Sequence, residues 1–287
     1  MSTTESIGHE DERTINIISR HIAAAMDELS EVDSDRIRSL FESQLDNAFA
    51  GDAANVGQSA EFTFRRPSEQ YTQLIDMYTQ MHADGYVVRN DQQQTRRLTP
   101  EEAYPGNELP QFLGPIKRLI VKHEAKSILD YGSGKGKQYG PLELKTPSGK
   151  TFPDVQSFWD VDEIRCFDPC VSEFRDRPQT AFDGVVSTDV LEHCHPADVP
   201  WIVREMFSYA RRFVFANIAC YPAMAQLPSG ENAHTTIRHP EWWSGVFATI
   251  ANEFADVDYQ IHFAARVQDQ AGKLQMQKGT IDRVRYE

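Results

Sequence analysis

The residues that could bind a ligand or carry out chemistry follow short apolar runs in the chain. The stretch SILDYGSGKGKQYG, 127–140, places Asp130 at the end of such a run and then Gly132, Gly134 and Gly136 at alternate positions. Glycine tolerates a positive φ and has no Cβ, so a ligand can approach its main chain closely. The stretch therefore predicts a cradle for a small molecule.

Two more acidic residues end apolar segments further along. Asp168 lies in RCFDP, 165–169, and Asp189 lies in FDGVVSTDVLEH, 182–193. Acids at the ends of strands could contact a ligand that binds there. The alternative interpretation is that Asp130, Asp168 and Asp189 only cap the ends of strands.

Histidines near these segments could transfer protons, because the unperturbed pKa of histidine is about 6.5. His193 follows the Asp189 segment, and His234 and His239 lie in GENAHTTIRHPEWW, which also carries Trp243. The polar and aromatic composition of that loop suits the covering of a substrate. We predict catalytic roles for His234 and His193 and substrate contacts for His239 and Trp243. The alternative is that His193 caps its turn and the tryptophans belong to the core.

From about residue 110 the sequence alternates between helical and strand patterns, which predicts a three-layer α/β domain with a mostly parallel sheet. The predicted strands are 127–131, 164–168, 184–188 and 212–218, the helices are 116–126 and 200–211, and 256–265 with 280–286 form a closing antiparallel pair. Ligands of such sheets bind beyond the carboxyl ends of the strands. The elements therefore bring the glycines and the acids to one edge.

Two common ligand-binding loops do not fit the glycine stretch. A phosphate loop ends G-K-[ST], but here Gln138 follows Lys137; a dinucleotide fingerprint needs a glycine where Lys137 stands. The arrangement that remains, D-x-G-x-G-x-G from Asp130, resembles the first motif of class I S-adenosylmethionine-dependent methyltransferases. FDGVVSTDVLEH closely resembles the fourth-strand motif of that family, and the resemblance covers about 110–287.

The resemblance implies a Rossmann-like methyltransferase fold, with S-adenosyl-L-methionine as cofactor and Asp168 on its ribose hydroxyls. The cofactor-binding residues it implies are Asp130, Gly132, Ser133, Gly134, Gly136, Asp168 and Asp189. It implies transfer of a methyl group to oxygen or nitrogen of a small-molecule acceptor. The chain departs from the family pattern at Gly140 and Pro141, which stop a helix after the glycine loop, and at 142–156, which reads as an inserted hairpin.

The sequence before 110 predicts an appendage to this domain. Residues 1–13 are polar and predicted to be disordered, and 14–109 are predicted to form a helical extension or lid. Its helices include 68–83, which carries Tyr71 and Tyr78 as candidate substrate contacts, and another begins at Thr99. The N-terminal helices could roof an acceptor pocket or form a homodimer with a second copy.

The composition limits the partners. With 29 basic and 43 acidic residues the net charge is −14, which disfavours nucleic acid and anionic membranes as partners. Four cysteines and no apolar run of about 18 residues predict a cytoplasmic protein. A zinc site from Cys166, Cys170, His193, Cys194 and His195 would lack a C-x-x-C pair, so no metal is predicted. Two rival functions are a non-catalytic scaffold that binds a protein partner and an NAD-dependent oxidoreductase.

Overall fold

The computed structural model describes residues 62–89, 94–146, 148–268 and 274–283. The predicted disordered tail, residues 14–61 of the predicted helical extension and the homodimer surface predicted for its helices lie outside the described residues. In the described part, none of the helices is long and apolar enough to cross a membrane.

The described elements are short and alternate along the chain. The strands are β1 Val87–Arg89, β2 Thr95–Arg97, β3 Ser127–Tyr131, β4 Leu144–Lys145, β5 Thr151–Phe152, β6 Glu163–Phe167, β7 Phe182–Thr188, β8 Ala210–Cys220, β9 Ala225–Gln226, β10 Asp258–Gln268 and β11 Leu274–Arg283. The helices are α1 Glu69–Asp84, α2 Leu113–His123, α3 Val155–Trp159, α4 Val199–Tyr209 and α5 Pro240–Ala251. Single 3₁₀ turns lie at Leu109–Phe112, Lys137–Tyr139 and Leu191–His193.

The central sheet has six strands in the order β11-β10-β8-β7-β3-β6. Neighbouring strands run parallel, except that β11 pairs with β10 antiparallel. The prediction of an α/β fold with a mostly parallel sheet and an antiparallel final strand is therefore confirmed.

Both faces of the sheet are buried because apolar side chains fill both positions of the strand repeat. Leu129 points to a core that contains α4 and α5 residues such as Phe207 and Phe247. Its neighbour Ile128 belongs to the opposite core, which contains α2 and α3 residues such as Trp159. Helices therefore cover the sheet on two sides and make three layers.

The order of the strands creates a crevice between β3 and β7. The chain passes from β3 to β6 on one side and then returns to place β7 on the other side of β3. The connections after β3 and β7 consequently diverge, which leaves an opening at the carboxyl ends of these two strands. The glycine stretch follows β3, and Asp189 follows β7.

The described part of the predicted N-terminal extension is not wholly helical. After α1, strand β1 pairs antiparallel with β2 and with β9, which joins this segment to the main domain. The helix predicted from Thr99 is a single turn, in which the Ala103 amide donates to the Thr99 carbonyl. Tyr104 and Gly106 then have positive φ angles of 49° and 76°, which end the helical conformation.

The predicted insertion forms a two-stranded hairpin. Strands β4 and β5 pair antiparallel, and Gly149, with a φ of 84°, lies in the turn between them. Before this hairpin, the 3₁₀ turn Lys137–Tyr139 ends at Gly140, as the sequence predicts. Among the described residues, no long helix directly follows the glycine loop.

Candidate functional site

A cavity of about 730 Å³ lies at the crevice between β3 and β7. Its walls come from the glycine loop, the carboxyl ends of β3 and β7, the face of α1, the segment 104–108 and the segment 221–225. The volume is within the range of small-molecule and cofactor sites, about 300–1,000 Å³.

Part of the glycine loop faces this cavity: Gly132, Ser133 and Gly134 line the wall, whereas Gly136, also predicted to bind a cofactor, does not. A Cβ at Gly136 would instead lie 3.1 Å from the Phe174 ring. Gly132, Gly134 and Gly136 have φ angles of 83°, 55° and 64°. A Cβ at Gly132 would lie 2.4 Å from a methyl group of Val190, so only glycine fits there without a shift. A Cβ at Gly134 would lie 3.6 Å from its nearest neighbour, Tyr104, and a longer side chain would enter the cavity.

Asp130, predicted to contact a cofactor, lies behind the loop instead of in the cavity wall. Its Oδ2 accepts hydrogen bonds from Gln138 Nε2 at 3.0 Å and from the Tyr139 hydroxyl at 2.8 Å. Burial raises its pKa to about 6, against the lowering effect of these two hydrogen bonds. Asp130 therefore positions the glycine loop, and direct ligand contact by this residue is not supported.

Asp168 lies in the cavity wall and also holds the loop. Its Oδ2 accepts from the Gly134 amide at 2.8 Å, and its Oδ1 accepts from the Cys170 amide at 2.8 Å. Burial raises its pKa, and the two backbone hydrogen bonds act against this shift. Because a carboxylate oxygen has two lone pairs, each oxygen can still accept one hydroxyl group of a ligand.

Asp189, His193 and His234 meet at the end of β7, and all three line the cavity. Asp189 has a φ of 62°, and its amide donates to the Asn217 carbonyl of β8 at 3.2 Å. The two imidazole rings are perpendicular, with centroids 4.7 Å apart. Burial lowers the pKa of both histidines, so both rings are neutral near pH 7. The two histidines predicted to be catalytic thus lie together beside Asp189.

Glu192, which was not among the predicted site residues, packs against Asp189 of this cluster. The side chain is completely buried, and its Oε1 accepts from the Ala219 amide at 2.5 Å. Oε2 has no hydrogen-bond partner. Burial and the neighbouring Asp189 carboxylate raise the pKa of Glu192 well above its ordinary value. The only sequence signal was its place in the motif that ends at His193.

Helix α1 supplies one side of the cavity through Tyr71 and Tyr78, the two candidate substrate contacts on this helix. The Tyr78 hydroxyl donates to the Ala233 carbonyl at 2.5 Å and lies 2.8 Å from His193 Nδ1. Burial raises the pKa of both phenols, so both remain protonated. The helix is thereby connected to the histidine cluster.

Three aromatic side chains form a wall beside the glycine loop. They were not among the predicted site residues. The Tyr104 ring lies 4.3 Å from the His82 ring and 4.9 Å from the Tyr86 ring, measured between centroids. All three line the cavity. Flat aromatic faces of this kind can pack against a planar ligand group.

The substrate contacts predicted for His239 and Trp243 do not agree with the structure. His239 caps the amino end of α5, where its side chain is 74% exposed, and it does not line the cavity. Trp243 is 0% exposed and packs in the core between α5 and the sheet. The loop leaves the cavity after His234, and none of its later residues lines the cavity.

The cysteines do not assemble into a metal site with the histidines. In the described part of the chain, the group of three ligating side chains that converges is Asp189, His193 and His234. It includes none of the cysteines and not His195. All four cysteines are unpaired thiols.

Comparison with known proteins gave no further guide to this site. No family model matches the chain, and no curated protein has a significantly similar sequence.

Proposed function

We propose that the protein is an S-adenosyl-L-methionine-dependent methyltransferase that acts on oxygen or nitrogen of a small molecule. The observation that carries this proposal is the position of the Asp168 carboxylate. It faces the cavity and is held by the Gly134 amide of a glycine loop at the end of β3. This arrangement suits a ligand that combines a ribose diol with a group pressed against bare main chain.

The cavity walls suggest two halves with separate roles. The glycine loop and Asp168 would hold the cofactor, with Gly134 leaving room for its sulfonium arm. Tyr71 and Tyr78 of α1, with His193 and His234 beyond β7, would surround the acceptor.

Methyl transfer needs alignment more than it needs covalent chemistry from the protein. When bound, the cofactor supplies an electrophilic methyl group: the acceptor atom bonds to that carbon, the carbon–sulfur bond breaks, sulfur keeps the electron pair, and the acceptor proton leaves to a base. The residues around the acceptor half would orient that atom and exclude water.

The rival oxidoreductase is disfavoured by the segment that continues from the glycine loop. A dinucleotide site places pyrophosphate at the amino end of a helix. Here the loop continues into a three-residue turn, Lys137–Tyr139, that stops at Gly140.

The rival function of a non-catalytic scaffold is disfavoured by the cavity itself. A scaffold would not require a cavity lined by part of the glycine loop and Asp168.

We also propose a cytoplasmic location. The four unpaired thiols suit a reducing compartment.

Thermal melting with S-adenosylhomocysteine tests the proposal. A ligand at 100 times its dissociation constant stabilises the folded state by about 2.7 kcal/mol, so the melting temperature should rise. NAD at the same concentration should leave it unchanged.

Gly134→Val should abolish the shift, because its side chain would fill space next to the loop. Gly149→Val is the matched control: Gly149 also has a positive φ, but it lies in the hairpin turn, where an added Cβ would have no atom within 4 Å. This variant should keep the shift. An unchanged wild-type melting curve at millimolar S-adenosylhomocysteine would refute the cofactor assignment.

A further inference from the structure

Three side chains that can bind a metal ion converge beyond the carboxyl end of β7. One ring nitrogen of His193, one of His234 and one carboxylate oxygen of Asp189 lie within 4.8 Å of one another. Asp189 precedes the 3₁₀ turn after β7 and His193 is the last residue of that turn, whereas His234 comes from the loop after β9. The tertiary fold, and not sequence proximity alone, therefore assembles the group.

Backbone carbonyl groups fix the orientation of both imidazole rings. His234 Nδ1 lies 2.5 Å from the Tyr221 carbonyl oxygen, and His193 Nδ1 lies 3.0 Å from the Ala233 carbonyl oxygen. A carbonyl oxygen can only accept, so each Nδ1 must carry the proton and donate. Both neutral rings then keep an unprotonated Nε2, which is the form that binds metals.

A hydrogen bond of this kind from the second ring nitrogen to a carbonyl or carboxylate is typical of metal-ligating histidines. It sets the tautomer and prevents rotation of the ring. At His193, Tyr78 further fixes the orientation of the ring, because the Tyr78 hydroxyl contacts both His193 Nδ1 and the Ala233 carbonyl.

A buried acid packs behind the group. Glu192 is 0% exposed, and its carboxyl group lies against that of Asp189. Carboxylates that bind metal ions are typically held by a further hydrogen-bonding group behind them, and Glu192 is placed to serve Asp189 in this way.

We propose that Asp189, His193 and His234 bind a divalent first-row transition-metal ion in the cavity. Two imidazoles and one carboxylate suit ions such as Zn²⁺, Co²⁺ or Fe²⁺, whereas Mg²⁺ and Ca²⁺ favour oxygen ligands. Three protein ligands leave open coordination positions for a substrate or water, as in catalytic metal sites. Around a tetrahedral ion, ligand atoms at about 2.1 Å from the metal are about 3.4 Å from one another. The three ligand atoms would therefore have to move closer together by only a small distance.

The proposed ion also indicates which chemical class of methyl acceptor the cavity takes. This inference about the acceptor, unlike the metal site itself, rests on the proposed methyltransferase function. A metal ion acts as a Lewis acid on an oxygen ligand and polarises its O–H bond. An acceptor with a hydroxyl group is therefore favoured over an amine, which would arrive protonated and be repelled by the ion. The two histidines then hold the ion and are not general bases.

Co²⁺ binding by the untagged, full-length protein tests the site. The protein is treated with a chelator, dialysed against Co²⁺, and assayed for metal content and for visible absorption of the bound ion. The wild type should retain about one Co²⁺ per chain.

The test variants are His193→Asn and His234→Asn. An asparagine amide nitrogen can still donate to the carbonyl that each Nδ1 contacts, but the variant lacks Nε2. Each should weaken Co²⁺ binding by more than about 100-fold, which exceeds the ~10–100-fold cost of losing an outer-sphere partner. His239→Asn, on the exposed cap of α5, is the control and should bind as the wild type does.

Retention of no Co²⁺ by the wild type would overturn the proposal, as would equal binding by wild type and His234→Asn. Melting curves establish that the variants fold, and Asp189→Asn serves as the ligand variant if a histidine variant does not. Because Co²⁺ binding is measured without S-adenosylhomocysteine, the two proposals can fail separately. A protein that binds Co²⁺ but shows no shift with S-adenosylhomocysteine would retain the metal site and lose the methyltransferase assignment.

Discussion

The Asp168 carboxylate contacts the protein main chain on one side and the cavity on the other. Its two oxygens accept from the Gly134 and Cys170 amides, which are the first residues that would move if the carboxylate were removed. A change at this position therefore affects both the shape of the glycine loop and the groups offered to a ligand.

Asp168→Ala should weaken S-adenosylhomocysteine binding by about 10- to 150-fold. The loss of charged hydrogen bonds costs about 1.5–3 kcal/mol, which corresponds to that range. Titration calorimetry gives the affinity, and Asp256→Ala, an exposed acid outside the cavity, should change nothing. Equal affinity of Asp168→Ala and wild type would mean that another group binds the ribose.

At this scale the sequence predicted those residues whose roles are local. A glycine after a strand and an acid at the next strand end can be read from the chain itself, and Gly134 and Asp168 both line the cavity. Trp243 and Asp130 could not be placed in this way, because their roles depend on partners that only folding brings near. Asp130, for example, looks like a ligand contact until Gln138 and Tyr139 are seen to occupy its oxygen.

At the scale of elements, the sequence predicted the strands of the central sheet and the inserted hairpin, and missed β1, β2 and β9. Strand β8 contains the apolar run 213–216 and was predicted, with its bounds two residues short at each end. Strands β1 and β9 have three and two residues, and they form because Val87 and Val88 pair with Gln226 and Ala225, far along the chain. No local pattern records such a pairing.

Helix α1 is held over the cavity by a buried acid at the start of α4. Asp198 is 0% exposed, and its carboxylate accepts from the Ser68 amide at 3.0 Å, from the Ser68 hydroxyl and from Trp201 Nε1 at 2.8 Å. Ser68 is also the N-cap of α1, where its hydroxyl oxygen accepts from the Tyr71 amide. One carboxylate thus connects the two helices.

Asp198→Ala should lower the free energy of unfolding by about 3–5 kcal/mol, because it leaves buried donors without an acceptor. Urea unfolding measures this. Asp154→Ala removes the half-buried N-cap of α3 and should cost only about 1 kcal/mol. Ser68→Ala should fall between the two, and it provides the test if Asp198→Ala does not fold. Equal values for Asp198→Ala and Asp154→Ala would show that the tether contributes little.

In the molecule as a whole, residues from before the main domain are joined to it at several independent points around the cavity. Asp198 holds the start of α1, β9 pairs with β1, and Lys135 of the glycine loop donates to the His82 carbonyl at 2.9 Å. The loop that would hold a cofactor and the helix that would cover an acceptor are therefore connected directly. Ligand binding at the glycine loop should therefore also affect helix α1.

Hydrogen exchange followed by mass spectrometry tests this connection. Saturating S-adenosylhomocysteine should slow amide exchange in 132–136 and also in α1 and β1, because the ligand binds only the folded cavity and disfavours its local opening. The β4–β5 hairpin does not line the cavity, so its exchange should be unchanged, which makes it an internal control. Slowing confined to 132–136 would mean that the roof opens independently of the loop. Equal slowing in the hairpin would mean that the effect is global and not a property of the cavity.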